Sequence, residues 1–582
     1  MKLTFLIHLA LLSAAALPSL AAGPRMAADL ERLGVKAGAE PVDVIVRFRQ
    51  TPGREHHLRV LNLGGSLRRE LRSVRGAVYS LPPASLRALA ADPDVEYIAP
   101  DRPVQGMMDV AAPAVGADIA WQRGWTGSQI GIAIIDSGVS SHWDLKTPQG
   151  VNDLGAGPTR IVYSEAFLPS TATGGPNKAT DEYGHGTHVA GVAAGNGFSS
   201  TMKAKFTIKG IAPKANIINL RVLDANGAGR DSDVISAIER AIELRTKYNI
   251  RVINLSLGRP VFESYLNDPL CQAVEQAWKA GIVVVAAAGN GGRDNSQGTN
   301  GYATISSPGN DPYVITVGAM KTMHTPTRAD DLVTSYSSKG PTLLDHIAKP
   351  DIVAPGNRLV SLVYNLTTSI GNHYSQNVVP YSYYQTGTNN TLSYVYLWLS
   401  GTSMATPVVS GAAALLLEQS PNLTPDQVKA RLMKTASKNF PASSVATDPN
   451  TGASYAIQYD VFTIGAGYLD VGAAIASTDL APGTAMSPVA QYDALTGTVS
   501  LVADPSSSWS ANAVWGTNAV WGTNAVWGTN AVWGTNAVWG TNAVWGTSAA
   551  QGFNAVWGTN AVWGTSSQSA AESIGVLILG EP

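Results

Sequence analysis

The sequence predicts an α/β fold in which helices cover both faces of a parallel sheet. Between about residues 110 and 475, apolar runs of strand length lie at 130–135, 252–255 and 282–286. Helical stretches, such as 233–248 and 271–280, alternate with these runs. Continuous apolar strands separated by helices are typical of a parallel sheet that is buried on both faces. Ligands bind at the carboxyl ends of such strands, so we expect the functional residues there.

The charge composition argues against a nucleic-acid partner. The chain has 40 basic and 42 acidic residues, which gives a net charge of -2. Nucleic-acid binding relies on clustered lysine and arginine, which this balance does not indicate. The single cysteine, Cys271, excludes an intramolecular disulfide, and its apolar surroundings in the sequence favour a small buried residue over a reactive thiol.

Residues 1–22 are predicted to be a secretory signal peptide. Lys2 precedes an apolar stretch at 3–17, and Ser19 and Ala21 are the small residues of a cleavage site. The alternative is a membrane anchor, but the stretch is short for a span of about 20 residues. No later stretch is long and apolar enough to cross a membrane. We therefore expect a secreted protein, extracellular or associated with the cell surface, without a transmembrane span.

The last hundred residues change in composition. Residues 481–510 are rich in proline and serine and are predicted to be a linker. The sequence Asn-Ala-Val-Trp-Gly-Thr then recurs within 511–565, in nine six-residue units of which eight carry tryptophan, and a tail follows at 566–582. In an extended chain an even period places every tryptophan on one side. The repeat is predicted to form a stacked β-structure or a flexible tail, and in either form to attach to a cell surface or a polymer.

Two motifs place a carboxylate and an imidazole at the ends of predicted elements. Asp136 ends an apolar strand in Ile-Ile-Asp-Ser-Gly, where the alternative is an ordinary turn carboxylate. His185 stands at the mouth of a helix rich in glycine and alanine, in Gly-His-Gly-Thr-His. A metal site at His185 and His188 is disfavoured because no third ligand follows at a suitable spacing, so the metal remains unassigned and His188 is interpreted as structural.

Two further motifs supply a hydroxyl and an amide. Ser403, in Gly-Thr-Ser-Met-Ala, precedes a helix rich in alanine and leucine, where backbone N–H groups favour negative charge. Asn290 follows the apolar run at 283–288. Taken singly, Ser403 is a helix N-cap and Asn290 a turn residue. Together with Asp136 and His185, they form the set that peptide hydrolysis by serine requires: nucleophile, base, orienting carboxylate and oxyanion donor.

These four motifs, in this order, resemble those of the subtilisin-like serine proteases, and the segments 254–258 and 349–356 match as well. The resemblance implies a catalytic domain at 107–480, with His185 as general base and then acid and Asp136 orienting it. It implies Ser403 as the nucleophile, with Asn290 and the Ser403 N–H group holding the oxyanion. The chemistry requires no cofactor, and the sequence singles out no calcium site.

The resemblance also implies how protein or peptide substrates bind. Two segments match the strands that pair with extended substrate by β-augmentation. Ser306 is expected at the floor of the pocket for the residue that precedes the scissile bond, and an uncharged floor favours neutral apolar side chains. The expected pairing residues are Gly227, Ala228 and Gly229 in one segment, and Ser256, Leu257 and Gly258 in the other.

Residues 23–106 resemble the inhibitory prodomain of the same family, a partner in cis that is cut off near 106–108. Strands are predicted at 42–48 and 95–98, and a helix at 86–90. The chain departs from the family in its tryptophan repeat and in a tyrosine-rich insertion at 357–399. The insertion is predicted to form a hairpin at the rim of the cleft or to bury its own aromatic residues.

Three other functions are alternatives to a serine endopeptidase. An inactive fold used as a binding module usually lacks one site residue, and none of the four is missing here. A carboxyl proteinase of related fold needs a glutamate where His185 stands. The third is a surface-binding protein in which the tryptophan repeat carries the function, and activity measurements on the secreted protein separate it from a protease.

Overall fold

The structure is a computed structural model that forms two compact units, residues 1–105 and 106–582. The predicted signal peptide, the cleavage region at 106–108 and the tryptophan repeat lie outside the residues that it describes. These described residues are 26, 30, 41–71, 75–100, 110–147, 157–168, 179–201, 204–296, 298–364, 367–387, 389–448, 452–493, 498–504, 506–508 and 576–581.

Between residues 41 and 100, the described part of the first unit has a four-stranded antiparallel sheet and two α-helices. Its strands are β1 (Val42–Phe48), β2 (Ser66–Leu71), β3 (Gly76–Leu81) and β4 (Val95–Pro100), and its helices are α1 (Arg54–Asn62) and α2 (Leu86–Ala91). The strand order is β2-β3-β1-β4. Alternate β1 residues are buried in the core of the unit, which is the pattern of a sheet with one buried face. The strands predicted at 42–48 and 95–98 and the helix at 86–90 are confirmed.

The second unit contains the strands and helices that carry the candidate site. Its strands are β5 (Gly131–Asp136), β6 (Ile161–Ala166), β7 (Asn216–Arg221), β8 (Ile250–Leu255), β9 (Val283–Ala287), β10 (Ile315–Lys321), β11 (Leu332–Val333), β12 (Ile352–Pro355), β13 (Leu359–Leu362), β14 (Val378–Pro380), β15 (Leu392–Leu399), β16 (Ser443–Thr447), β17 (Ser454–Gln458), β18 (Val489–Asp493) and β19 (Thr498–Val502). Its helices are α3 (Ala111–Ala114), α4 (Ala117–Gln122), α5 (His185–Ala194), α6 (Asp231–Leu244), α7 (Pro269–Lys279), α8 (Ser369–His373), α9 (Tyr381–Tyr384), α10 (Thr402–Gln419), α11 (Pro425–Thr435), α12 (Val461–Ile464) and α13 (Val471–Ala476).

The main sheet confirms the predicted α/β fold. Its order is β11-β10-β9-β8-β5-β7-β6, with β12 also paired to β10. All of these pairs are parallel except that of β11 with β10. β5 and β9 are buried along their whole length, as expected for central strands of a covered sheet. The carboxyl ends of β5, β8 and β9 therefore lie at one edge of the sheet.

The tyrosine-rich insertion forms a small antiparallel sheet of order β13-β15-β14. Tyr384 and Tyr396 are fully buried and stack edge to face, with ring centroids 5.2 Å apart. The Tyr396 hydroxyl donates a hydrogen bond to Asp144 Oδ2 at 2.6 Å. The insertion thus buries aromatic residues of its own, which is one of the two arrangements that its sequence predicted.

Part of the predicted linker is packed into the second unit. Ala485 and Ser508 are fully buried, and β18 pairs with β19 in a hairpin. Ser487 Oγ donates to Asp351 Oδ1 at 2.5 Å and accepts from Lys429 Nζ at 2.8 Å. The proline and serine content predicted a linker, but Ser487 bonds to buried charged groups that are distant in the sequence. Among the residues that the structure describes, no helix is long and apolar enough to cross a membrane.

Candidate active site

Asp136 and His185 meet at the carboxyl edge of the sheet. Asp136 is the last residue of β5, and His185 is the first residue of α5. His185 Nδ1 lies 2.8 Å from Asp136 Oδ1, and both side chains are buried. Burial lowers the pKa of His185, but the negative charge of Asp136 and its hydrogen bond outweigh this, so the pKa is raised overall. The pair can therefore stabilise a protonated imidazole.

Sequence reasoning missed Asp181, which fixes the turn in front of His185. Its Oδ1 accepts hydrogen bonds from the Ser137 hydroxyl at 2.8 Å and the Gly184 N–H at 2.7 Å. Its Oδ2 accepts from the Thr187 N–H at 2.8 Å. Burial raises the pKa of Asp181, and these hydrogen bonds only partly offset it. An aspartate four residues before a helix start was the available signal, because such residues often bind the first free N–H groups.

A glycine allows α5 to approach the end of β5 closely. A Cβ atom added to Gly186 would lie 2.2 Å from the Gly138 carbonyl oxygen and 3.2 Å from Asp136 Cβ. No side chain fits there without moving the backbone. The small residues of the histidine motif therefore bring His185 within hydrogen-bond distance of Asp136.

His188 lies on the same helix but contacts the insertion sheet and not the pair formed by Asp136 and His185. Its Nε2 is 3.1 Å from the Leu359 carbonyl oxygen and 3.2 Å from that of Leu397, so it bonds to the insertion sheet. Burial, with a smaller effect of His185, lowers its pKa to about 3, so it is neutral and donates from Nε2. This contact agrees with the structural interpretation of His188.

Ser403 is the second residue of α10 and is partly exposed. Its hydroxyl donates to the Ser256 carbonyl oxygen at 3.1 Å, while the Ser256 hydroxyl donates to the Ser403 carbonyl oxygen at 2.7 Å. The described part of the chain shows no hydrogen bond from Ser403 to His185. Catalytic hydrogen bonds often form only when substrate is present, so this arrangement is compatible with a resting nucleophile.

Asn290 is held beside the turn that carries Ser403. Its Oδ1 accepts from the Thr402 N–H at 2.9 Å and from the Thr402 hydroxyl at 3.1 Å. With Oδ1 engaged by Thr402, the N–H₂ group is the part of the Asn290 side chain that can donate to another group. Gly401 has a φ of 141°, and a Cβ atom there would lie 3.2 Å from Asn290 Nδ2. The glycine thus keeps space open next to the amide.

A sequence model described as Subtilase family matches residues 127–467. The chain belongs to this family. It is 35% identical over 369 residues to Serine protease AprX of Bacillus subtilis (strain 168), covering 61% of this chain and 73% of that protein. It is 34% identical over 382 residues to Subtilisin E of the same strain, covering 64% and 78% respectively. The solved structure of Sphericase is 30% identical, with a TM-score of 0.41, and covers 60% of this chain and 92% of that one. The protein is a subtilisin-like serine endopeptidase.

The expected substrate segments of this subtilase flank the site. Residues 227–229 belong to a turn in which the Ala228 carbonyl oxygen accepts from the Asp224 N–H at 2.8 Å. A Cβ atom on Gly227 would lie 2.7 Å from the Tyr183 ring, so this turn packs on the residue two before His185. Segment 256–258 follows β8 directly and is joined to Ser403 through Ser256.

Ser306 lies between the second segment and the loop that follows β9. Its N–H group donates to the Ala288 carbonyl oxygen at 3.0 Å, and a Cβ atom on Gly258 would lie 2.6 Å from its hydroxyl. Behind it, the Ser307 hydroxyl donates to Asp268, whose other oxygen pairs with Arg259 at 2.8 Å. The Asp268 charge is therefore already compensated, which leaves the expected floor without a free carboxylate.

The described residues of this subtilase contain no group of three histidine, cysteine, aspartate or glutamate side chains placed to hold a metal ion. Cys271 is buried, and its Sγ contacts Asn310 Oδ1 at 3.4 Å. Burial and the neighbouring carboxylates Asp311 and Asp268 raise the pKa of this thiol, which keeps it protonated and unreactive.

Proposed function

We propose that this subtilase cleaves peptide bonds through an acyl-enzyme on Ser403, with His185 and Asp136 completing the catalytic triad. The observation that carries the proposal is the buried 2.8 Å contact of His185 Nδ1 with Asp136. In this contact Nδ1 carries the proton and donates it to the Asp136 carboxylate, which orients the imidazole. Nε2 is then the nitrogen that is free to accept a proton.

In the first half of the reaction, the Ser403 hydroxyl leaves the Ser256 carbonyl and gives its proton to His185 Nε2 as Oγ attacks the substrate carbonyl. The negative charge that develops on the substrate oxygen is stabilised by the Asn290 amide and the Ser403 N–H group. The position of Ser403 in the first turn of α10 supports this role, because N–H groups there have no intrahelical partner. His185 then protonates the leaving amine.

In the second half, water replaces the amine and the same groups act in reverse. His185 takes a proton from water, and the hydroxide attacks the acyl carbonyl. Collapse of the second tetrahedral species returns the proton to Ser403 Oγ. Throughout, the Asp136 carboxylate stabilises the imidazolium, in keeping with the raised pKa of His185.

Substrate is proposed to bind as an extended strand between 227–229 and 256–258, with its side chain before the scissile bond against Ser306. The location of both segments next to elements of the triad supports this arrangement. Apolar side chains are expected in the pocket, because Asp268 is already paired with Arg259.

We also propose that the enzyme is secreted and made as a zymogen that removes its own residues 23–106. Two features support this: the signal-like sequence at 1–22 and the compactness of residues 1–105 as a unit of their own. A unit with its own core can fold first and inhibit the enzyme until it is cut.

The test is Ser403→Ala, expressed in a protease-free host, with Ser420→Ala at the other end of α10 as the matched control. We expect Ser403→Ala to lose about 10⁶-fold in kcat on a fluorogenic peptide, the magnitude measured for a subtilisin of this same family. Intact-mass analysis should find its N-terminal unit uncut. Ser420→Ala should be processed and active. Activity or normal processing in Ser403→Ala would refute the nucleophile or the self-cleavage, respectively.

A further inference from the structure

Residues 576–581 lie after the tryptophan repeat and outside the family match, yet they are packed into the catalytic unit. Val576, Leu577 and Ile578 are buried and join its main hydrophobic core. Glu581 is only 2% exposed. Ser508, on the other side of the repeat, is also buried, and its N–H donates to the Thr484 carbonyl oxygen at 2.6 Å. Described residues on both sides of the repeat are therefore packed into the catalytic unit.

The backbone of this segment is bound by groups of the insertion and its flanks. The Ser400 N–H donates to the Leu577 carbonyl oxygen at 2.9 Å, and Asn377 Nδ2 donates to that of Ile578 at 2.6 Å. Asn357 binds Glu581 at both backbone groups: Oδ1 accepts its N–H at 2.7 Å and Nδ2 donates to its carbonyl oxygen at 2.8 Å. Such paired contacts fix the register of the bound segment.

The Glu581 side chain fills a site suited to a carboxylate. Its Oε1 accepts from Arg293 at 3.0 Å, from the Ser335 N–H at 2.8 Å and from the Ser335 hydroxyl. Its Oε2 lies 3.6 Å from Lys321 Nζ. A buried carboxylate is costly unless it is paired and hydrogen-bonded. Here Oε1 is hydrogen-bonded and Arg293 and Lys321 supply the opposite charge, while Oε2 has the ion pair with Lys321 but no hydrogen bond within the described part of the chain. Removal of the carboxylate would leave these buried donors without their acceptor.

The segment contacts residues close in sequence to both Ser403 and Asn290. Ser400 precedes Ser403 by three residues, and Arg293 follows Asn290 by three. Gly401, next to Ser400, donates its N–H to the Gly356 carbonyl oxygen at 2.8 Å, beside Asn357. One short segment thus contacts both the turn that carries Ser403 and the loop that carries Asn290.

We propose that residues 576–581 form a clasp that binds in the Arg293–Ser335–Asn357 site and holds Ser403 and Asn290 in register for catalysis. This inference rests on the proposed function. Glu581 is a positioning residue: it acts through Ser335, Arg293 and Asn357 and does not contact substrate. Because the clasp is held by non-covalent contacts, it remains bound when the chain is cut between 508 and 576.

The first experiment compares full-length Glu581→Gln with wild type and with Glu165→Gln. The control removes a carboxylate that pairs with Arg240 at 2.8 Å on another part of the unit. Active sites are counted with a fluorophosphonate, and kcat and KM are measured on a fluorogenic peptide. We expect kcat per active site to fall about tenfold to hundredfold in Glu581→Gln, as for small misplacements of reacting groups, with KM within about twofold. A lower melting temperature with unchanged kcat per active site would overturn the positioning role.

The second experiment deletes residues 576–582 and adds the synthetic peptide 573–582 in trans. Peptide binding is followed by fluorescence anisotropy, which does not depend on catalysis. The wild-type peptide should bind saturably and restore kcat, whereas the peptide with Glu581→Gln should bind at least about tenfold more weakly. Equal binding of the two peptides, or full kcat without any peptide, would overturn the clasp. Failure of the proposed function would give a different result. In that case Ser403→Ala would be as active as wild type, while binding of the peptide would be unaffected.

Discussion

The sheet edge that carries Asp136 and the segments added around the sheet are held by different kinds of contact. β5 pairs in parallel with β7 along its whole length and with β8 over most of it, so Asp136 is placed by repeated backbone hydrogen bonds. The insertion and residues 481–508 are joined to the core through a few buried polar side chains, such as Tyr396 and Ser487. A change at the edge should therefore affect chemistry, and a change in an added segment should affect stability.

The clasp is the exception that tests this distinction, because it is an added segment in contact with loops of the site. If its removal changes only stability, the distinction holds without exception. If removal of the clasp changes kcat, then contact with the loops of the site affects catalysis more than membership of the sheet does.

The largest effect is expected for Asp136→Asn. The amide can hold the wrong tautomer of His185, so kcat should fall about 10⁴-fold, as found for the corresponding change in another serine protease. Asp136 raises the pKa of His185 in the resting enzyme, and the neutral imidazole is the active base. The residual kcat/KM should therefore reach its plateau at a lower pH than in wild type. A pH profile from 4 to 9 checks this, and an unshifted acid limb would contradict the role of Asp136.

Asn290→Leu tests a second residue at the sheet edge. Loss of the amide should lower kcat by about 10²–10³ with little change in KM, the magnitude known for a subtilisin of this family. Steady-state kinetics on a fluorogenic peptide give both parameters. A rise confined to KM would instead assign Asn290 to substrate binding.

The pocket at Ser306 should affect selectivity more than rate. Cleavage of a peptide library is expected to favour neutral apolar residues before the scissile bond, because Asp268 is paired with Arg259. Ser306→Asp should raise the relative cleavage after arginine and lysine by about tenfold or more through a new charge partner. A wild-type profile dominated by basic residues would show that the floor lies elsewhere.

Ser487→Ala tests the added segments. The change leaves buried Asp351 and Lys429 each without one hydrogen bond, at a cost of about 1–3 kcal/mol. The melting temperature should fall by several degrees, while kcat per active site stays unchanged. Ser500→Ala, at an exposed position of the hairpin β18–β19 that follows Ser487, is the control and should alter neither quantity.

The smallest effect is expected at Cys271. Its buried, protonated thiol plays no part in the proposed chemistry, so treatment with iodoacetamide should leave activity unchanged. Mass spectrometry of the native protein should find the thiol unmodified. Rapid alkylation with loss of activity would place Cys271 in an open environment.

The sequence by itself determined the α/β fold and the family, because apolar runs and short motifs report local structure directly. It also located Asp136 at the end of a strand and His185 at the start of a helix, so that the two side chains were expected to meet. It predicted the arrangement of the insertion only as one of two alternatives, since aromatic residues suit both a rim and a core.

Only the tertiary structure decided which distant residues support the site. Asp181 accepts a hydrogen bond from Ser137, Ser256 bonds to Ser403, and Glu581 pairs with Arg293. Each of these partners is distant in the sequence, and nothing in the residues around Asp181, Ser256 or Glu581 names it. The packing of residues 481–508 could not be predicted for the same reason. Their proline and serine content is typical of a linker, whereas Ser487 is buried between charged residues of two other segments. Local sequence patterns predict helices and strands, but the hydrogen-bond partner of a buried polar residue is set only when the chain has folded.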